Sequence, residues 1–188
     1  MTTLSADEIR ALKKAYPPFK SRLTFKDFVA RVSSLPIDEW NFVRASLLYQ
    51  QALKCRSCEP NIAMVLLCSC ADALKVAGKN AGSHKNFSTF YLKYCPLTLR
   101  APPLKYYPNA KPPAITAPFD KALDFIYSKF RCLYVHEGKG RLQPLPKDIT
   151  IAASLLLDKY DKEYYSLDTI KLHEWFEKIT LESLYELL

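Results

Sequence analysis

Arg131 and His136, five residues apart near the end of a predicted helix, are the residues best suited to chemistry. An imidazole can take or give a proton near neutral pH, and a guanidinium can bind a phosphate through two parallel hydrogen bonds. A position at a helix C-terminus favours the charged form of His136. The pair therefore suits phosphate-ester chemistry, with proton transfer by one residue and charge stabilisation by the other. The alternative is that Arg131 is a solvated charge and His136 merely ends its helix.

The spacing of the two residues does not by itself make a site. Residues five apart on an ideal α-helix point about 140° away from each other. Arg131 then lies on the polar side of the helix, with Asp124 and Ser128. Either the last turn of the helix is distorted, or two copies of the helix meet. In the second case Tyr127 could supply part of the apolar contact between the copies.

Further residues could support this pair, namely Asp72, Glu137 and Cys132. Asp72 stands in an apolar helical segment, where it could orient Arg131 or His136, pair with Lys75, or face solvent. Cys132 and His136 are four residues apart and could share one helix face, but cysteine more often serves packing.

A second candidate region is the irregular stretch from Cys95 to Pro118, where seven prolines exclude regular helix. Its cations alternate with aromatic residues, a combination that can bind single-stranded RNA through phosphate contacts and base stacking. We predict RNA-binding roles for five of its residues: Arg100, Lys105, Tyr106, Tyr107 and Lys111. The alternative is a proline-stiffened loop whose tyrosines pack on the rest of the domain.

Hydrophobic periodicity predicts an all-α chain. Residues 1–35 form a short helical appendage, with Ser5 and Thr24 as helix caps. Residues 36–188 form a helical bundle of four to five main helices, interrupted by the long proline-rich loop. The main helices are predicted from Pro36 to about Cys58, Pro60 to about Ala77, Lys85 to Tyr94, Pro118 to Glu137, and Leu167 to Leu188. A further helix is predicted from Asp148 to about Asp161, although Ile149–Ile151 could be strand.

The composition sets limits on partners and location. The net charge of +8, from 27 basic and 19 acidic residues, favours an acidic partner such as nucleic acid. Only four glycines are present, and no glycine-rich phosphate-binding motif is found. The first residues contain no apolar signal segment, and the most apolar run, Ile62 to Ala71, is too short for a bilayer that needs roughly 20 residues. We therefore expect a cytoplasmic protein with no membrane contact.

Six cysteines raise the question of a zinc site: Cys55, Cys58, Cys68, Cys70, Cys95 and Cys132. Cys55 and Cys58 lie in a helical pattern, and Cys68 and Cys70 have the wrong spacing for a zinc knuckle. Buried, reduced thiols are the preferred interpretation. We expect neither a metal nor a cofactor.

The residues Arg131 to Gly138, with their R-x4-H spacing, resemble the motif of the HEPN superfamily of ribonucleases. Similarity also extends to Ser69–Leu74, which is like the family's central helix, and to Leu172–Leu188, which is like its closing helix. The resemblance implies a metal-independent endoribonuclease that attacks RNA through its 2′-hydroxyl and leaves a 2′,3′-cyclic phosphate. It also implies a homodimer with paired motifs in one cleft.

A toxin or defence effector, with an antitoxin or other protein partner, fits this resemblance. Cys132 stands where active members often have Asn, Asp or His. The alternative is therefore a catalytically inactive HEPN module that binds RNA, a nucleotide or a protein. A helical interaction protein with an accidental R-x4-H spacing is the third interpretation.

Overall fold

The computed structural model describes residues 5–107, 114–132, 154–157 and 164–188, and most of them are helical, as predicted. The described α-helices, in chain order, are Ala6–Ala15 (α1), Phe25–Val32 (α2), Glu39–Cys55 (α3), Pro60–Ala73 (α4), Ser83–Tyr94 (α5), Phe119–Ile126 (α6) and Thr169–Leu187 (α7). A π-helix, Tyr127–Cys132, directly continues α6. Single 3₁₀ turns lie at Pro17–Phe19 and Leu97–Leu99.

Side-chain caps fix the starts of several helices. Ser5 forms a capping box at α1, and the Thr24 hydroxyl accepts a hydrogen bond from a backbone N–H of α2, which confirms both predicted caps. Helix α3 begins at Glu39, three residues later than predicted. There the Asp38 carboxylate, rather than Pro36, caps the first turn.

Helix α4 occupies the middle of the fold, where it packs against α3, α5, α7 and the π-helix. Its sequence is apolar on nearly all sides, which is typical of a helix surrounded by others. Helix α7 packs against α4 and α5, and its Thr180 Oγ1 lies 2.8 Å from the Tyr91 hydroxyl of α5. Fully buried residues of these two helices include Met64, Leu67, Cys68, Ala71, Phe176, Ile179 and Leu184.

The first two helices share this core. Phe19 and Phe28 are fully buried and stack with their ring centres 5.2 Å apart. Phe19 also contacts Phe42 of α3 and Tyr185 of α7. The buried side chains of residues 5–35 therefore belong to the same hydrophobic core as those of the bundle.

Four short strands form an antiparallel sheet that the all-α prediction omitted. They are Leu104–Tyr107 (β1), Ile115–Thr116 (β2), Ser154–Leu157 (β3) and Tyr164–Leu167 (β4), in the spatial order β2-β1-β4-β3. Leu104 pairs with Leu167, and Leu157 pairs with Tyr164. Tyr165 anchors the sheet, since its buried ring lies 4.6 Å from that of Phe125 on α6.

The sheet corrects two predictions. The helix expected from Asp148 to about Asp161 is wrong at Ser154–Leu157, which is a strand. The proline-rich stretch is not loop throughout, because β1 and β2 lie within it. In both cases a short run rich in aromatic or apolar residues finds a pairing partner far away in the sequence. Such a partner is not visible to local periodicity.

The cysteine prediction holds only in part. Cys68, Cys70 and Cys95 are buried, and burial raises the pKa of the Cys95 thiol to about 11. Cys58, by contrast, is exposed in the turn that follows α3, so the prediction of burial is wrong there. In the described part of the chain, no helix has the length and apolar character needed to cross a membrane.

Candidate functional site

Arg131 lies on the π-helix that follows α6, rather than on a regular α-helix. The Ser128 hydroxyl donates to the Asp124 carbonyl at 2.7 Å, which is the carbonyl that the Ser128 N–H would use in an α-helix. Such competition commonly bends a helix. In a π-helix each N–H reaches five residues back, so its turns are wider than those of an α-helix. The helix is therefore not a regular α-helix in the described part that ends at Cys132, and the turn that contains His136 lies outside the described residues.

Asp72, in the last turn of α4, holds the Arg131 side chain. Arg131 Nε donates to Asp72 Oδ2 at 3.0 Å, and the two side chains are only 20% and 11% exposed. A charge-assisted hydrogen bond so shielded from water is among the stronger kinds. Asp72 was predicted to orient Arg131 or His136, to pair with Lys75, or to face solvent. The structure shows the first of these contacts, the one with Arg131.

The Asp72 carboxyl lies in a mixed environment. Burial raises its pKa to about 6, and the charges of Arg131, Lys75 and His84 partly offset that effect. Its second oxygen, Oδ1, is buried with no hydrogen-bond partner among the described residues. Asp72 therefore holds Arg131 with one oxygen, while the other retains the capacity to accept a further hydrogen bond.

Tyr127 links Arg131 to the neighbouring helix. The guanidinium carbon of Arg131 lies 5.1 Å from the centre of the Tyr127 ring, within the range of a cation–π contact. The ring is buried and also packs against Phe87 of α5, at 5.0 Å. The expectation that Tyr127 supplies apolar contact to a second copy is wrong, because its surface is already covered within one copy.

His84 and Asp124, neither of which was predicted as a site residue, complete the described cluster. His84 Nε2 lies 2.9 Å from Asp124 Oδ1, and both side chains are more than half exposed. The His84 ring meets Tyr127 edge-on at 4.9 Å. Two features of the sequence point to these residues. Only three histidines are present, and Asp124 lies on the same predicted helix face as Arg131. Their meeting requires α5 to pack on α6, which local patterns do not reveal.

Lys75 adds a cation beside the same end of α4. Its φ of 54° lies in the left-handed region, which costs a residue with a side chain roughly 1–2 kcal/mol. Lys75 also lines an open groove of about 510 Å³ between the segment before α3 and the segment after α4. Other lining residues are Leu35, Asn41, Leu74 and Lys79.

The described residues of the proline-rich stretch have different environments. Arg100 donates to the backbone carbonyls of Leu92 and Cys95, so its guanidinium stabilises the end of α5. Lys105 is exposed on β1, whereas Tyr106 packs on Tyr165 with ring centres 5.3 Å apart.

Tyr107 ends β1 and is partly exposed. Lys105, Tyr106 and Tyr107 thus lie together on β1, while Arg100 is bound to backbone carbonyls of α5 and the next residue. The packed tyrosine fits the alternative interpretation at Tyr106.

Three predicted site residues, Lys111, His136 and Glu137, lie outside the described residues, and Cys132 is the last residue of the π-helix. The remaining histidine, His173, is buried on α7, and burial lowers its pKa. Its Nδ1 lies 3.7 Å from Glu177 Oε2. His173 is thus shielded from any substrate at the surface.

Comparisons with known proteins add no relative. No family model matches the chain, and neither a curated protein nor a solved structure is significantly similar to it. Within the described ranges, no group of three or more His, Cys, Asp or Glu side chains could hold a metal ion. Arg131, Asp72, Tyr127, His84 and Asp124 therefore form the candidate site among the described residues.

Proposed function

We propose that the protein is a metal-independent endoribonuclease of the HEPN type, which cleaves RNA by attack of the RNA's own 2′-hydroxyl. The observation that carries the proposal is the hydrogen bond between Arg131 Nε and Asp72 Oδ2. It ties the arginine of the R-x4-H motif to an acid on the central helix. The pair is shielded from water. It thus differs from the exposed ion pairs of solvated surface arginines, which contribute little to stability.

In the proposed reaction Arg131 binds the scissile phosphate and stabilises the charge that develops on it. His136 takes the proton from the 2′-hydroxyl or gives one to the leaving 5′-oxygen. A bond forms between O2′ and phosphorus, and the bond between phosphorus and O5′ breaks. The products are a 2′,3′-cyclic phosphate and a free 5′-hydroxyl, and no metal takes part.

Charge favours an RNA substrate. The net charge of +8 attracts a polyanion, and Lys105 presents an exposed cation on β1. The proposal includes a homodimer that brings two motif helices together, a cytoplasmic location, and a role as a toxin or defence effector held in check by a protein partner. These parts rest on the family resemblance of the motif.

Cleavage of a labelled single-stranded RNA by pure protein in excess EDTA tests the proposal. We expect cleavage by wild type and a loss of about 10²–10⁴-fold in His136→Ala, typical of a lost proton-transfer group. Arg131→Ala should lose at least about 10²-fold. Arg10→Ala, which removes an exposed cation on α1, is the matched control and should cleave as wild type does.

The product end distinguishes this chemistry from metal-dependent hydrolysis. We expect a 3′ end that resists phosphatase until acid opens the cyclic phosphate. Equal rates in wild type and both motif variants would show that Arg131 and His136 are not the site.

A second function, an inactive HEPN module that binds RNA, is favoured by one observation. Cys132 follows Arg131 directly, at a position where active members of the family often have Asn, Asp or His. Binding of a 2′-O-methyl RNA without cleavage of unmodified RNA, lost in Arg131→Ala but retained in Arg10→Ala, would support this second function.

A further inference from the structure

We propose that His84, oriented by Asp124, is a second proton-transfer residue and takes the proton from the RNA 2′-hydroxyl. This inference rests on the proposed ribonuclease function. It adds a catalytic residue on a different helix from the R-x4-H motif.

The first line of evidence is the pairing itself. His84 Nε2 and Asp124 Oδ1 lie 2.9 Å apart, which is hydrogen-bond distance. An ionised carboxylate only accepts hydrogen bonds, so this bond places the hydrogen on Nε2. In the neutral ring the lone pair is then on Nδ1, and that nitrogen can act as a base. A carboxylate that fixes the orientation and tautomer of a histidine is a recurrent feature of proton-transfer sites.

The second line of evidence is access. His84 and Asp124 are 54% and 58% exposed, so a substrate can reach them. His173, the other described histidine, is buried and cannot meet an RNA. Among the described histidines, only His84 combines a carboxylate partner at hydrogen-bond distance with an exposed ring.

The third line of evidence is the position of His84 relative to Arg131. Tyr127 contacts both groups, with its ring centre 5.1 Å from the Arg131 guanidinium carbon and 4.9 Å from the His84 ring centre. These two distances limit the separation of guanidinium and imidazole to about 10 Å. One nucleotide can bridge such a gap, with its phosphate on Arg131 and its ribose near His84.

The proton balance of the step is complete. His84 Nδ1 takes the proton from the 2′-hydroxyl as O2′ bonds to phosphorus. The bond from phosphorus to O5′ breaks, and His136, in the second of the two roles that the proposed function gives it, donates the proton to O5′. Arg131 stays charged throughout and stabilises the phosphate oxygens. Asp124 touches no reacting atom and is a positioning residue.

The test measures single-turnover cleavage of a labelled single-stranded RNA in EDTA by the full chain. We expect His84→Ala to lose about 10²–10⁴-fold in rate, the usual contribution of general base catalysis. Added imidazole should restore part of the rate in His84→Ala and none in Arg131→Ala. Asp124→Asn should slow wild type but have no further effect in the His84→Ala background.

Asp120→Asn is the matched control, because Asp120 lies one turn earlier on the same helix and the substitution removes the same charge. It should cleave as wild type does. His84→Gln, checked by its thermal unfolding, guards against a folding defect in the alanine variant, and it should be similarly slow. Rescue by imidazole is the outcome that a merely structural role of His84 would not give.

Two outcomes would overturn the inference, and they differ in what else they overturn. If wild type cleaves RNA, Arg131→Ala is inactive and both His84 variants stay within threefold of wild type, the inference fails while the proposed function stands. If wild type cleaves no RNA at all, both fail.

Discussion

The bond between Asp72 and Arg131 makes a quantitative prediction about stability. A double-mutant cycle with Asp72→Asn, Arg131→Met and the double variant isolates the energy of this pair. Both side chains are mostly shielded from water, so solvent screening is weak. We expect a coupling of about 2 kcal/mol in the free energy of unfolding at pH 7.5, typical of a charge-assisted hydrogen bond.

The pH dependence of this coupling follows from the pKa of Asp72, which burial raises to about 6. A raised carboxyl pKa means that the folded state binds the proton more tightly than the unfolded state. The contribution of Asp72 to the free energy of unfolding therefore falls as pH rises from about 4 to about 6, and levels off above that range. A shift from 3.8 to about 6 corresponds to roughly 3 kcal/mol. Asp72→Asn removes this pH dependence.

Because the charged pair exists only when Asp72 is ionised, the coupling should fall below about 1 kcal/mol at pH 5. Urea unfolding followed by circular dichroism at 222 nm measures all four proteins at both pH values. A control cycle with Arg22→Met and Glu182→Gln samples a more exposed pair, whose coupling should not exceed about 1 kcal/mol. A coupling between Asp72 and Arg131 below about 0.5 kcal/mol at pH 7.5, or an equal coupling at pH 5, would refute this reasoning.

Three further substitutions test other parts of the structure. Arg100→Met should lower the free energy of unfolding by about 1–2 kcal/mol, because two backbone carbonyls lose their hydrogen-bond donor. The substitution should leave the salt dependence of RNA binding unchanged. A weaker salt dependence would instead indicate that Arg100 contacts a phosphate. Lys75→Gly should raise the free energy of unfolding by about 0.5–1 kcal/mol in urea titrations, because glycine accepts the left-handed φ. A lower free energy of unfolding would contradict backbone strain at this position. Phe28→Ala should lower it by about 3–5 kcal/mol, with one transition for the whole chain; a separate early transition would show that residues 5–35 unfold independently.

Local patterns predicted the helices well because their signals are local. Ser5 and Thr24 each cap the helix that follows, and Pro60 begins α4 as predicted. Such signals depend only on neighbouring residues in the chain. The strands were missed because their partners are distant, as with β1 and β4, which lie some sixty residues apart and pair Leu104 with Leu167.

The sequence predicted the candidate site only in part. Arg131 and Asp72 were both selected from the sequence, and the structure has them hydrogen-bonded. The π-helix was not predicted, because the apolar periodicity of Pro118–Glu137 is that of a regular α-helix. His84 was missed because its meeting with Asp124 depends on how two helices pack, and not on any spacing along the chain.

The aromatic contact between Phe19 and Tyr185 affects how the chain folds during its synthesis on the ribosome. At about 5–20 residues per second, roughly 10–30 seconds separate the synthesis of these two residues. During that interval the Phe19 ring lacks its contact with Tyr185, so apolar surface that the complete fold covers stays exposed. A chain stalled on the ribosome before residue 185 should therefore leave this part of the core incomplete.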